Sequence, residues 1–237
     1  GAMLLGLARA CVEMCKRTRR PDDGARLDAE DNLGIALRRA GELGEAAEVL
    51  TRVLAVSKRV KGADHPRTLG AAGNLANVHY SQGNLAAAEE LQVEGRGASR
   101  RVNGKEHRDT LAAANNLAAT YIKQGRLAEA EELQALVQEL RRRVNGDEHP
   151  DTLDAIMNLA VTYKRQGRLA EAEGLEVGLL AKSRRVRGSE HPGTLLAAGN
   201  LATTYHSQGR HAEAEVLSLE VLEAGRRVQG ACHPDTL

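Results

Sequence analysis

The sequence predicts an all-α solenoid of tandem helix pairs, on three observations. First, residues recur every 42 positions: His65, His107, His149, His191 and His233; Asn32, Asn74, Asn116, Asn158 and Asn200; Gly41, Gly83, Gly125, Gly167 and Gly209. A fixed period of about 20 to 50 residues marks stacked repeats, each too small to bury its own apolar face. Second, apolar residues inside one period fall at three- and four-residue steps, the spacing of a helix face. Third, Gly and His-Pro stand at fixed places between these stripes, where helices stop and start.

Residues 1–3, Gly-Ala-Met, read as a tag-cleavage scar. Residues 4–22 form a flanking helix. Leu7, Cys11, Met14 and Thr18 lie one period ahead of Val49, Val53, Val56 and Val60, so it is the second helix of an earlier unit or a cap. The repeats are then 23–64, 65–106, 107–148, 149–190 and 191–232. The first opens degenerately, with Asp23-Gly24 in place of His-Pro. His-Pro-Asp-Thr-Leu at 233–237 opens a sixth without a polar cap, so the chain is expected to be a piece of a longer protein.

Repeat 149–190 shows the physics most cleanly. Pro150 and Asp151 suit a helix start. Leu153, Ile156, Leu159, Ala160 and Tyr163 make one stripe, and Gly167 ends it. A second helix from about Ala170 carries Leu175, Leu179 and Val186, with Lys182 intruding, and ends before Gly188. Acids lead the second helices (Glu129, Glu171, Glu213) and bases close them (Arg142, Arg184, Arg226), which complements the helix dipole. In repeat 65–106, Gly95 and Gly97 each cost ~1 kcal/mol against Ala, so that helix is expected to be weak or bent.

Bulk properties exclude several functions. The formal net charge is +1, which gives no pull toward nucleic acid or membrane. Trp and Phe are absent, and four Tyr offer no base-stacking platform. No apolar run approaches the ~20 residues of a membrane span. Cys11, Cys15 and Cys232 lack zinc spacing and read as reduced thiols of a cytoplasmic protein. The His residues are one repeat apart, too far to share a metal, so no metal or cofactor is expected. No phosphate loop, metalloprotease or nucleophile motif is present, so enzyme activity is not expected.

Leu159-Ala160, Tyr163, Gly167 and Ala172, with the string His-Pro-Asp-Thr-Leu and a 42-residue period, resemble the tetratricopeptide units of kinesin light chains. The family's large aromatic in the second helix is replaced by Gln92, Gln134, Glu176 and Ser218. The aromatic after the turn Gly becomes Leu43, Leu85, Leu127, Leu169 and His211. The coiled coil of a kinesin light chain is absent from this sequence, so a motor role does not follow.

The resemblance implies a right-handed solenoid whose first helices line a concave groove. That places Asn32, Asn74, Asn116, Asn158 and Asn200 on the groove face. Each amide could hold the backbone of an extended peptide, or tie one repeat to the next; both readings stay open. Arg38, Arg39, Tyr80, Lys123, Lys164, Arg165 and His206, near the first-helix ends, would edge the groove. Asn with Lys and Arg suits a peptide with acidic residues. The expected function is a non-catalytic protein-interaction scaffold. The alternative is a structural spacer, an end-to-end self-associating array with an uncapped apolar face at Leu237, or a regulatory arm of a larger protein.

Overall fold

A computed structural model describes residues 2–229, all helices and short turns. After α1 (Ala2–Thr18) come five pairs: α2 (Gly24–Ala40) and α3 (Leu43–Lys61); α4 (Pro66–Gln82) and α5 (Leu85–Asn103); α6 (Arg108–Lys123) and α7 (Leu127–Asn145); α8 (Pro150–Arg165) and α9 (Leu169–Arg187); α10 (Pro192–Ser207) and α11 (His211–Gln229). The first helices begin at 24, 66, 108, 150 and 192, one period apart. The expected sixth opening at 233–237, with Cys232 and Leu237, lies outside the described residues.

The chain divides into two compact units, one up to Gly125 and one from Arg126 onward. In the first, α1 to α6 pack each on the next, and α2 also touches α4. In the second, α7 to α11 do the same, and α8 touches α10. The core of the first unit gathers Leu27, Leu33, Leu37, Val49, Leu50, Val53, Leu75 and Val78. That of the second gathers Leu153, Ile156, Leu179, Leu180 and Leu201. Val186, read as part of a second-helix stripe, is instead 43% exposed.

The periodic residues have distinct mechanical jobs. His65, His107, His149 and His191 cap the first helices: each Nδ1 accepts the N–H two residues on, at 3.0–3.3 Å. The His is therefore the cap, one residue ahead of the Pro150-Asp151 pair that opens the helix. In the degenerate opening Asp23 does the same work, accepting from Ala25 and Arg26. Gly41 and Gly83 stand at φ +85° and +79°, a left-handed conformation that only glycine adopts without strain. From the second repeat on, the Gln beside the turn ties repeats together. Gln82 donates to the Leu43 carbonyl at 3.1 Å, and Gln166 to that of Leu127 at 3.3 Å.

Where the family's aromatic is missing, a buried polar latch has taken its place. Thr120 donates to Gln92 Oε1 at 2.7 Å, Thr162 to Gln134 Oε1 at 2.5 Å, and Thr204 to Glu176 Oε2 at 2.5 Å. Each latch joins a second helix to the first helix of the next repeat within its unit. One period earlier than Gln92 and Thr120 the same two positions are Leu50 and Val78, both 0% exposed. A buried polar atom needs a partner and an apolar one does not, so the two positions change character together.

Despite Gly95 and Gly97, α5 is one unbroken helix of 19 residues, as long as α3, α7 and α9. It packs on α4 and α6. The effect of Gly95 appears in the packing.

Candidate functional site

In the first unit, α4 presents Gly70, Gly73, Asn74 and Asn77 at one helix face, and α6 presents Asp109, Ala112, Ala113 and Asn116. Between them lies an open hollow of about 440 Å³, floored by Leu91, Gln92, Gly95 and Arg96 of α5. It brings Asn74 and Asn116 of successive repeats to one site. A second hollow of about 400 Å³ joins Asn32 and Arg39 of α2 to Leu4 and Ala8 of α1.

The five asparagines do not share one role. Asn74 Nδ2 donates to both carboxylate oxygens of Asp31, one repeat earlier, at 3.0 and 2.8 Å. Burial pushes the Asp31 carboxyl up, and the Asn74 bond opposes that shift. The tie between repeats is therefore present for Asn74. Among the described residues, the side chains of Asn32, Asn116, Asn158 and Asn200 show no such bond. Asn116, Asn158 and Asn200 take part through their carbonyls, which accept from Thr120, Thr162 and Thr204.

The cations at the first-helix ends also divide. Lys123 donates to the Tyr80 carbonyl at 3.0 Å and sits over the Tyr80 ring at 4.4 Å, so these two candidates meet. Lys164 turns into the stack: its Nζ is 3.0 Å from Glu176 Oε1 and 3.1 Å from the Asn200 carbonyl. With side-chain exposures of 15% and 1%, that pair is internal, and Lys164 is not a free groove cation. His206 is exposed and pairs with His211, Nδ1 to Nδ1 at 3.2 Å. Arg39 and Arg165 are exposed and Arg38 half-buried, and among the described residues none makes an ion pair. The acids nearby are engaged: Asp28 with Arg67 at 2.9 Å, and Asp154 with Arg187 at 3.0 Å.

The Arg ridge at the second-helix ends is likewise largely neutralised. Arg101 pairs with Asp64, Arg184 with Glu220 and Arg227 with Glu190. Arg168 bridges Glu171 and Glu131, and hydrogen bonds from Arg168 and Gln166 hold the Glu131 carboxyl below the usual carboxylate range. Among the described residues no three His, Cys, Asp or Glu gather as a metal site, and no helix is long and apolar enough to cross a membrane.

Sequence reasoning missed Gly95 and Arg96 as residues that form this hollow. The signal was available in the period: Val53, Val137, Leu179 and Val221 occupy the Gly95 position in the other repeats.

A tetratricopeptide repeat model matches residues 25–101, 71–136, 109–176 and 179–236. The chain belongs to the tetratricopeptide repeat family. A solved kinesin light chain-like array of nearly identical TPR-like repeats from Podosopora anserina is 28% identical, covering 88% of this chain and 97% of its own, with a TM-score of 0.77. BtubC (BKLC) from P. vanneervenii shares the fold at 19% identity, covering 98% of this chain and 93% of its own, with a TM-score of 0.79. YrrB, a TPR protein with an unusual peptide-binding site, covers 97% of this chain and 100% of its own at 16% identity and a TM-score of 0.53. Comparison with curated proteins gave no match. The repeats are thus of the kinesin light chain-like type, and the fold is that of a protein-interaction scaffold.

Proposed function

We propose that the protein is a non-catalytic, cytoplasmic scaffold that binds an extended, acidic peptide along the face of its first helices. One observation carries the reading. On that face the acids are tied up by Arg67, Arg187 and Asn74, while Arg38, Arg39 and Arg165 are left without ion pairs among the described residues. The surplus is positive, and the amides of Asn32, Asn116, Asn158 and Asn200 beside it remain free to bond peptide backbone. Lys123 and Tyr80 add a fixed edge, and His206 a titratable one. YrrB, which shares the fold, is described as having a peptide-binding site. Free Cys11 and Cys15 thiols fit a reducing compartment.

The test is a peptide array probed with the parent, with Arg38→Glu/Arg39→Glu and with Asn116→Ala/Asn158→Ala. Acidic peptides should bind the parent, lose at least about tenfold with the charge reversal, and lose less with the amide pair. Folded variants that bind every peptide as the parent does would sink the proposal.

A second reading, self-association, has its own observation. Leu4 and Leu7 of α1 are 60% and 62% exposed, whereas Ala46 and Val49, one period on, are 0% and 6% exposed. This apolar stripe favours association through α1. Light scattering across a concentration series should then show a rising mass that Leu4→Glu/Leu7→Glu abolishes; a strict monomer excludes it.

A further inference from the structure

His206 and His211 meet across the turn that joins α10 to α11. Their Nδ1 atoms are 3.2 Å apart and their ring centroids 4.8 Å, with the planes tilted by 60°. Both residues are exposed. The periodic His column does not contain them. His65, His107, His149 and His191 spend their Nδ1 lone pairs on helix caps, and His79 Nδ1 faces Gln82 Oε1 at 3.1 Å.

The pair is also a double break in the period. Arg38, Tyr80, Ile122 and Lys164 hold the His206 position in the other repeats, and Leu43, Leu85, Leu127 and Leu169 hold that of His211. Those leucines are half-buried, and Leu43 packs on the core of its unit. Replacing such a leucine by an exposed imidazole gives up apolar burial. What this repeat gains is a second ring nitrogen beside the first.

Two convergent imidazole nitrogens are a chelate. Zn–N bonds are about 2.0–2.1 Å long, so two nitrogens on one ion stand about 2.9 Å apart at a right angle and about 3.4 Å apart at the tetrahedral angle. The observed 3.2 Å lies between these limits. In neutral rings without an ion, one Nδ1–H donates to the other Nδ1 lone pair. With an ion, that proton passes through solvent to Nε2 of the same ring. Both Nδ1 lone pairs then face the metal, and no net proton is released. Glu213 is held by Arg210. Among the described residues no third His, Cys, Asp or Glu completes the set, so water fills the remaining positions. Imidazole nitrogen suits Zn²⁺, Ni²⁺ and Cu²⁺, whereas Mg²⁺ and Ca²⁺ take oxygen ligands.

We infer that His206 and His211 form an exposed two-histidine site for a divalent transition-metal ion. The inference goes beyond the peptide reading, which uses His206 only as an edge. An ion held there clips α10 to α11, so binding stabilises this helix pair.

Zn²⁺ titrated into the parent by calorimetry should bind at a site that Mg²⁺ does not occupy. His211→Leu installs the residue of the other four repeats, and His206→Gln keeps a polar side chain at an exposed position. Each should weaken that binding at least about tenfold; should one variant fail to fold, the other decides. Saturating Zn²⁺ should raise the parent's Tm by about 3 °C or more and leave that of His211→Leu unchanged. Sub-stoichiometric paramagnetic Ni²⁺ should broaden the amide resonances of 205–212 first, which separates this site from metal held by the Cys11 and Cys15 thiols. No Zn²⁺ binding by the parent, undiminished Zn²⁺ affinity in a folded variant, or Ni²⁺ broadening that spares 205–212 overturns the inference.

Discussion

Lys164→Ile is expected to destabilise the protein by about 3 kcal/mol, even though Ile122 fills the same position one repeat earlier. Glu176 is 1% exposed, and Lys164 is its charge partner. Removing the lysine leaves a carboxylate inside the stack with only the Thr204 hydroxyl to hold it. In sequence, the preceding repeat carries Ile122 and the neutral amide Gln134 at these two positions, and Gln134 Oε1 accepts from Thr162. Lys164→Ile/Glu176→Gln rebuilds that arrangement and should return to within about 1 kcal/mol of the parent. Urea denaturation followed by helical circular dichroism measures both. If the single variant matches the parent, the pair contributes nothing and the latch account of these positions fails.

Gly34→Ala should cost about 1–2 kcal/mol, against the ~1 kcal/mol gain that helix propensity alone predicts. A Cβ on Gly34 would stand 2.5, 2.7 and 2.9 Å from three side-chain carbons of Leu50. Leu50 is 0% exposed, so its side chain can give way only by pushing on packed neighbours. Ala76 and Ala160 hold the Gly34 position in repeats whose Leu50 position is Gln92 and Glu176. Glycine is thus the counterpart of a branched leucine, and alanine of a straight amide or carboxylate. Gly34→Ala/Leu50→Gln/Val78→Thr transplants the complete set from a later repeat and should recover most of the loss. A stabilised Gly34→Ala single variant would show that Leu50 repacks freely.

These sets explain how much the sequence disclosed. The period, the turn glycines and the apolar stripes of Leu153 to Tyr163 were legible, because backbone geometry and core burial repeat in each unit. The latch was legible only as an absence: Gln92, Gln134 and Glu176 register as missing aromatics, and their Thr partners lie 28 residues away on another helix. The fate of Lys164 was not legible, since groove edge and stack interior differ there by a side-chain direction. Gly95 was read as a backbone defect when its consequence is a missing side chain. Helix propensity is a local quantity, and the neighbours α4 and α6 decide what an absent valine leaves behind.

The central claim is that the first-helix face, and not the paired Arg ridge of the second helices, receives the partner. Amide hydrogen exchange with and without a saturating acidic peptide tests it most directly. The account predicts added protection in α2, α4, α6 and α8. Protection confined to the second-helix ends near Arg101, Arg142 and Arg184, with the first helices unchanged, would contradict it.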